Sequence, residues 1–287
     1  MKWLVRCVDT CIPKCEVKCA EKKGAVKSAV KWVIEYIGKC RDKFVIKCTA
    51  FATPKFFYLW SGHCLFPLFL LFLITFVVGV YQGVWVAPAD YQQGELFRII
   101  YVHVPAAFLS LFIYTIIFGC SVIFLIWRLK VADIIAGCSA AIGASFTFLA
   151  LFTGALCGKP MWGTYWVWDA RLTSELILLF LYFGYMGLRG AISNLETRAK
   201  AAALFAIVGM VDVPIVHFSV NWWQTLHQGA TLSKLARPSI ANEMLFPLLY
   251  MIAAFMMFYV FLILYRGRTE ILLREKRTQW VGGLEWS

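Results

Sequence analysis

Six stretches of this chain are apolar over about the length of a bilayer-crossing helix, and polar or charged residues fall between them. A helix needs about 20 mostly apolar residues to cross the hydrocarbon of a membrane. The windows run Leu65–Ala87, Val104–Trp127, Ala132–Cys157, Leu172–Leu188, Ala201–Val216 and Met244–Tyr265. The fourth is short unless its polar start lies in the interface. The fifth is the least regular, because it contains Asp212 and Pro214. The pattern predicts an all-α polytopic membrane protein, a six-transmembrane-helix bundle at residues 56–270, preceded by an extension at residues 1–55 and followed by a tail at 271–287.

Composition agrees with the pattern. The chain is 61% hydrophobic and 15% charged, where a soluble domain is about half apolar and a quarter charged. A single soluble core could not hide this much apolar surface, so lipid must be the solvent. Aromatic residues make up 17%, with 12 Trp among them, which asks for an explanation beyond membrane insertion.

An even number of spans puts both ends of the bundle on one side, and charge chooses the side. The side holding the extension, the tail and the connections near 128–131 and 189–200 carries 23 of the 28 Lys and Arg residues, and the other side carries 5. Leaving out residues 1–50, the ratio is still 11 to 5. Both termini are therefore expected in the cytoplasm. The net charge of +12 suits an anionic membrane surface, and no nucleic-acid partner is expected.

Six of the ten cysteines fall within residues 1–50, before the first span, and no CxxC pair occurs. Thioredoxin-like chemistry and covalent attachment of c-type haem are thereby disfavoured. Cys7, Cys11, Cys15 and Cys19 recur every fourth residue, interrupted by Pro13. Zinc ligation lacks the usual finger spacing, and a basic amphipathic segment on anionic lipid is the expected role. No short apolar core with a small-residue cleavage site opens the chain, so no cleaved signal peptide is expected. There is no GxxxxGK[ST] loop, so any ATP chemistry would belong to a partner.

The conspicuous chemistry gathers in the three outer segments, at about 88–103, 158–171 and 217–243. His103 stands at the outer start of the second span, with Pro105 suited to a first helical turn. The second segment packs Trp162, Tyr165, Trp166 and Trp168 around Gly163, followed by Asp169 and Arg171. Such a run is either an interfacial aromatic belt or a flat platform for a large planar anionic ligand, with indoles to stack and Arg for carboxylates. His217 closes the fifth span, and Trp222, Trp223 and His227 follow it. His103 and His217 should lie at one depth, where two neutral imidazoles could grip a haem iron between them. Taken alone, His103 fits an interfacial histidine with a hydrogen bond better than a ligand. Asp212 is either a ligand-side group or a partner for a helix broken near Pro214. His63 is expected to be interfacial and structural.

The tracts WGTYWVWDARLTSE, APADYQQG, IIYVHVPAA and WWQTLHQG, in this order, resemble the haem exporter protein C family of the cytochrome c maturation pathway, over about residues 60–280. The resemblance implies haem b as cargo at the periplasmic face, His103 and His217 as axial ligands, and a platform from Trp162 to Asp169 flanked by Trp222 and Trp223. It makes Arg98, Lys159 and Arg171 candidates for the propionates and leaves His227 a supporting role. It further implies a periplasmic haem chaperone, an ABC ATPase with its membrane permease and a small single-span subunit as partners, in a bacterial inner membrane or its mitochondrial counterpart. An integral electron-carrying cytochrome b and a subunit of a haem transporter are the competing readings. The first usually places two histidines on one span, which no span here does. The second expects broken helices or paired charges near the bilayer centre.

Overall fold

A computed structural model describes residues 53–91, 93–227 and 240–284 of the chain. Residues 1–52, which carry the six cysteines of the extension, and Lys234 and Arg237 lie outside the described residues. Among the described residues, the structure is all helical: α1 (Pro54–Tyr81), α2 (Ile100–Trp127), α3 (Lys130–Trp162), α4 (Ala170–Ala191), α5 (Leu195–Gly209), α6 (Asp212–Trp222), α7 (Asn242–Glu275) and the short α8 (Gln279–Gly282). Six segments of the described residues are long and apolar enough to cross a membrane, with α5 and α6 together making the fifth.

Local chemistry sets the boundaries. Thr53 caps α1, its hydroxyl accepting from the Phe56 N–H, and Pro54 occupies the first turn, where a missing N–H is harmless. Asn194 caps α5 by accepting from the N–H groups of Glu196 and Thr197 at 3.1 and 3.0 Å. A link of two residues joins α2 to α3, with Arg128 in the left-handed conformation (φ 56°). So short a turn forces α2 and α3 into an antiparallel hairpin, the most extensive helix pair in the bundle.

The fifth span departs from a regular helix. It breaks at Met210 and Val211, so Asp212 begins α6 with ten residues of the span still to follow. His217 then lies inside α6, which continues to Trp222. Pro105 also sits deeper than a first turn, because α2 already begins at Ile100.

Small residues let the centre close. Ala136, Ala140, Gly143, Ala144 and Ala150 on α3 are buried, as small residues are where spans approach closely. A Cβ on Gly143 would meet the Tyr182 ring at 2.3 Å, so only glycine admits that tyrosine. Tyr182 crosses Tyr114 edge to face at 5.2 Å, and its hydroxyl donates to the Ser110 carbonyl at 2.7 Å.

One end of the bundle gathers the starts of α1 and α3 and the ends of α2, α4 and α7. Here Asp133, 5% exposed, accepts from Arg189 at 2.5 Å and from Arg274 at 2.8 Å. The carboxylate lies in a first helical turn and both guanidiniums lie near helix C-termini, so each charge also suits its helix dipole. Gly137 leaves the room that Arg189 needs, since a Cβ there would fall 2.8 Å from its Nη2.

Candidate functional site

At the opposite end, α2, α3 and α4 surround a small cavity lined by His103, Ala107, Ala150, Arg171, Glu175 and His227, among others. His103 lies one turn inside α2. Its Nδ1 is 3.1 Å from the Ala150 carbonyl oxygen and 3.0 Å from Thr153 Oγ1. A carbonyl only accepts, and the Thr153 hydroxyl already donates to Leu149 at 2.7 Å. Nδ1 therefore carries the proton, and Nε2 is left with its lone pair. Gly154 completes the seat: a Cβ there would stand 3.1 Å from His103 Cε1.

The imidazole that the fold brings to His103 is that of His227, with ring centres 6.1 Å apart. Trp162 stands beside His227 at 6.3 Å. His227 sits on the non-helical stretch after α6. His217 instead packs edge to face against Phe218 at 4.7 Å and does not line this cavity.

Glu175 is 5% exposed. One of its oxygens accepts from Ser110 Oγ at 2.6 Å, and the other has no hydrogen-bond partner among the described residues. Asp212, 8% exposed, also has an unpartnered oxygen among them. It begins α6, which packs on the helix carrying Glu175.

The tryptophan-rich tract forms the link between α3 and α4, and two of its polar-motif residues have structural duties. Gly163 ends α3 in the left-handed region (φ 78°), where glycine is favoured. Asp169 Oδ1 caps α4 by accepting from the Leu172 N–H at 2.8 Å, leaving Oδ2 buried and unpartnered among the described residues. Trp166 and Trp168 cross at 5.4 Å. The indole N–H of Trp166 is buried without a partner among the described residues, whereas Trp168 is 75% exposed. Tyr165, Trp222 and Trp223 are exposed as well. Trp222 stacks on Phe218 at 5.5 Å, and Trp223 meets Trp222 edge to face at 5.8 Å.

The three basic candidates separate. Arg171 lines the cavity and is anchored by a 2.8 Å bond from Nη1 to the Val216 carbonyl. Arg98 is spent on loop closure, donating to the Gly83 and Ala87 carbonyls at 2.7 and 3.0 Å and pairing with Glu95. Lys159 donates to the Gly163 carbonyl at 3.0 Å and lies over the Tyr165 ring at 5.3 Å. Sequence reasoning missed Ala150, Thr153, Gly154 and Glu175 as parts of this site. The spacing of the first three on one face of α3 was its only signal.

Residues 47–282 match the family model described as heme exporter protein C. The chain belongs to that family. Among its relatives, the heme exporter protein C of Haemophilus influenzae is 49% identical over 235 residues, covering 82% of this chain and 95% of the relative. That of Escherichia coli K12 is 46% identical over 233 residues, covering 81% and 94%. That of Bradyrhizobium diazoefficiens is 47% identical over 206 residues, covering 72% and 78%. The match to the heme exporter protein C family takes in all six spans and the tryptophan-rich link.

Proposed function

We propose that this chain holds haem b at the periplasmic face of a bacterial inner membrane and presents it to a periplasmic haem chaperone during cytochrome c-type biogenesis. Haem is the cargo, in keeping with the name of the relatives. The extension, tail and basic end then face the cytoplasm, where the positive-inside rule puts them. An ABC ATPase, its permease and a small single-span subunit are the expected partners in releasing the loaded chaperone.

The observation that carries this reading is the fixed tautomer of His103, whose Nε2 is left free to ligate, together with the second imidazole beside it. A metal–imidazole bond of about 2 Å on each side spaces two ring centres by about 6 Å, close to the 6.1 Å found here. We therefore take His227, in preference to His217, as the second axial ligand. The cavity that the two rings help to line is about 20 Å³, room for about one water. Admitting a macrocycle at this spacing requires the side chains around the two imidazoles to part while the rings stay in place. Arg171, which lines the cavity, is our candidate for one propionate, and the exposed indoles are our candidates for the platform.

The decisive measurement is an absorption spectrum of the detergent-purified chain, alone and mixed with its chaperone. The expected result is a low-spin bis-imidazole b-type spectrum that diminishes as the chaperone takes up haem. A protein that keeps its haem and cycles with quinol would be an electron-carrying cytochrome instead. Thr153→Val keeps the bond from His103 to Ala150 but removes the second acceptor. It should weaken haem retention by about tenfold, the lower range for a lost ligand-orienting partner, as read by haem transfer to a competing apoprotein. Unchanged retention would mean that Thr153 does not orient the ligand.

A further inference from the structure

Between α1 and α7, at the end of the bundle remote from the histidine cavity, lies a second cavity of about 280 Å³. Tyr58, Leu59, Gly62, His63 and Arg268 line it. The Arg268 guanidinium lies over the Tyr58 ring at 3.8 Å. It donates to the Tyr58 carbonyl and lies 3.4 Å from the buried hydroxyl of Ser61. A Cβ on Gly62 would come within 2.6 Å of its Nη1, so a glycine is what lets the guanidinium rest between the two helices.

Arg268 carries a charge that no acid answers among the described residues. Arg98, Arg189, Arg274, Lys130 and Lys200 each have a carboxylate partner. Glu270, two residues away, pairs with Arg274 at 2.7 Å. A guanidinium cannot shed its proton to escape the mismatch. On the other wall, exposed His63 donates from Nδ1 to the Leu59 carbonyl at 2.9 Å.

Depth identifies the missing anion. The apolar windows of the two helices, Leu65–Ala87 and Met244–Tyr265, both stop short of these residues. The cavity therefore sits at the level of lipid phosphates, just beyond the hydrocarbon. On α1 beyond the cavity, Phe66, Leu70, Leu73 and Val77 recur at helical spacing and are all exposed, as acyl chains require. Arginine suits phosphate by its forked donors, and basic pockets between spans hold acidic headgroups.

We infer that this groove binds the phosphate of an anionic phospholipid, with Arg268 as its anchor. The test is native mass spectrometry of the full chain, delipidated and then offered phosphatidylglycerol, phosphatidylcholine or inorganic phosphate. Wild-type protein should retain phosphatidylglycerol over phosphatidylcholine. Arg268→Gln should lose about fivefold of that preference, the factor for one basic group at a membrane surface, and Arg268→Lys should keep part of it. Lipid held by the basic extension is common to all variants and cancels in the comparison. If Arg268→Gln does not fold, photo-crosslinkable phosphatidylglycerol on wild-type protein gives the answer by the peptides it labels. Labelling at residues 55–63 and 262–270 supports the site. An undiminished preference in Arg268→Gln, labelling only elsewhere, or inorganic phosphate competing as well as lipid would each overturn it.

Discussion

Purified His103→Ala and His227→Ala proteins should each lack the low-spin bis-imidazole spectrum, while His217→Ala should keep it. His103 is a rigid ligand: a carbonyl and a hydroxyl fix its Nδ1 proton, and Gly154 leaves it space. Removing it takes away the ligand and its prepared seat together, so haem content itself should fall by more than the roughly tenfold expected for an orienting partner. His227 lies on the stretch after α6, at the cavity's rim. Its loss should leave a five-coordinate, high-spin haem on His103. Imidazole added to the buffer should restore the low-spin bands in His227→Ala, because small molecules can reach that position. His217 rests against Phe218, away from the cavity, and its replacement should touch neither spin state nor content. The opposite result, with His217→Ala losing the low-spin bands and His227→Ala keeping them, would make His217 the second ligand.

Asp133→Ala should be the most destabilising single change at the other end of the bundle. The carboxylate accepts from Arg189 on α4 and Arg274 on α7, and its side chain is 6% exposed, against 12% and 15% for theirs. Removing it leaves two facing guanidiniums, partly buried, with only Glu270 to share. Breaking a buried pair by removing one partner costs about 3–5 kcal/mol. Thermal unfolding in detergent should show a large fall in Tm. Glu196→Ala provides the contrast: its bond to Lys200 is an exposed pair one turn apart and should matter little. Replacing Asp133, Arg189 and Arg274 together by apolar residues of similar volume should recover much of the loss, since the penalty lies in the unpaired charge. An Asp133→Ala protein as stable as Glu196→Ala would show that the three-way contact holds nothing together.

The six spans were legible because lipid demands long apolar runs, and such runs are hard to mistake. Their ends were less so. α7 continues ten residues past Tyr265 because Glu270, Arg274 and Glu275 find partners there, and hydropathy counts those charges as the end of a span. The break before Asp212 was hinted at by its proline, yet its depth depended on how far α6 would run. Within the site, His103 stood out beside its tryptophans. Ala150, Thr153 and Gly154 did not, because small residues inside an apolar run look like any other part of it. His227 was read as supporting because depth was inferred from span ends alone. That reasoning cannot see a stretch that leaves its helix and turns back over the cavity. Gly163 and Asp169 illustrate the converse: their capping duties follow from ordinary helix-end rules, but a motif known for its tryptophans drew attention away from them.

The first span has few buried residues of its own, Ser61 and Gly79, and its principal neighbour is the last span, α7. A ribosome makes α1 before α7, with four other spans between them. The earlier helix must therefore wait in the bilayer, solvated by lipid tails, until α7 has followed it through the insertion machinery. Its greasy surface equips it for that interval, and α7 then acts as the latch that covers it.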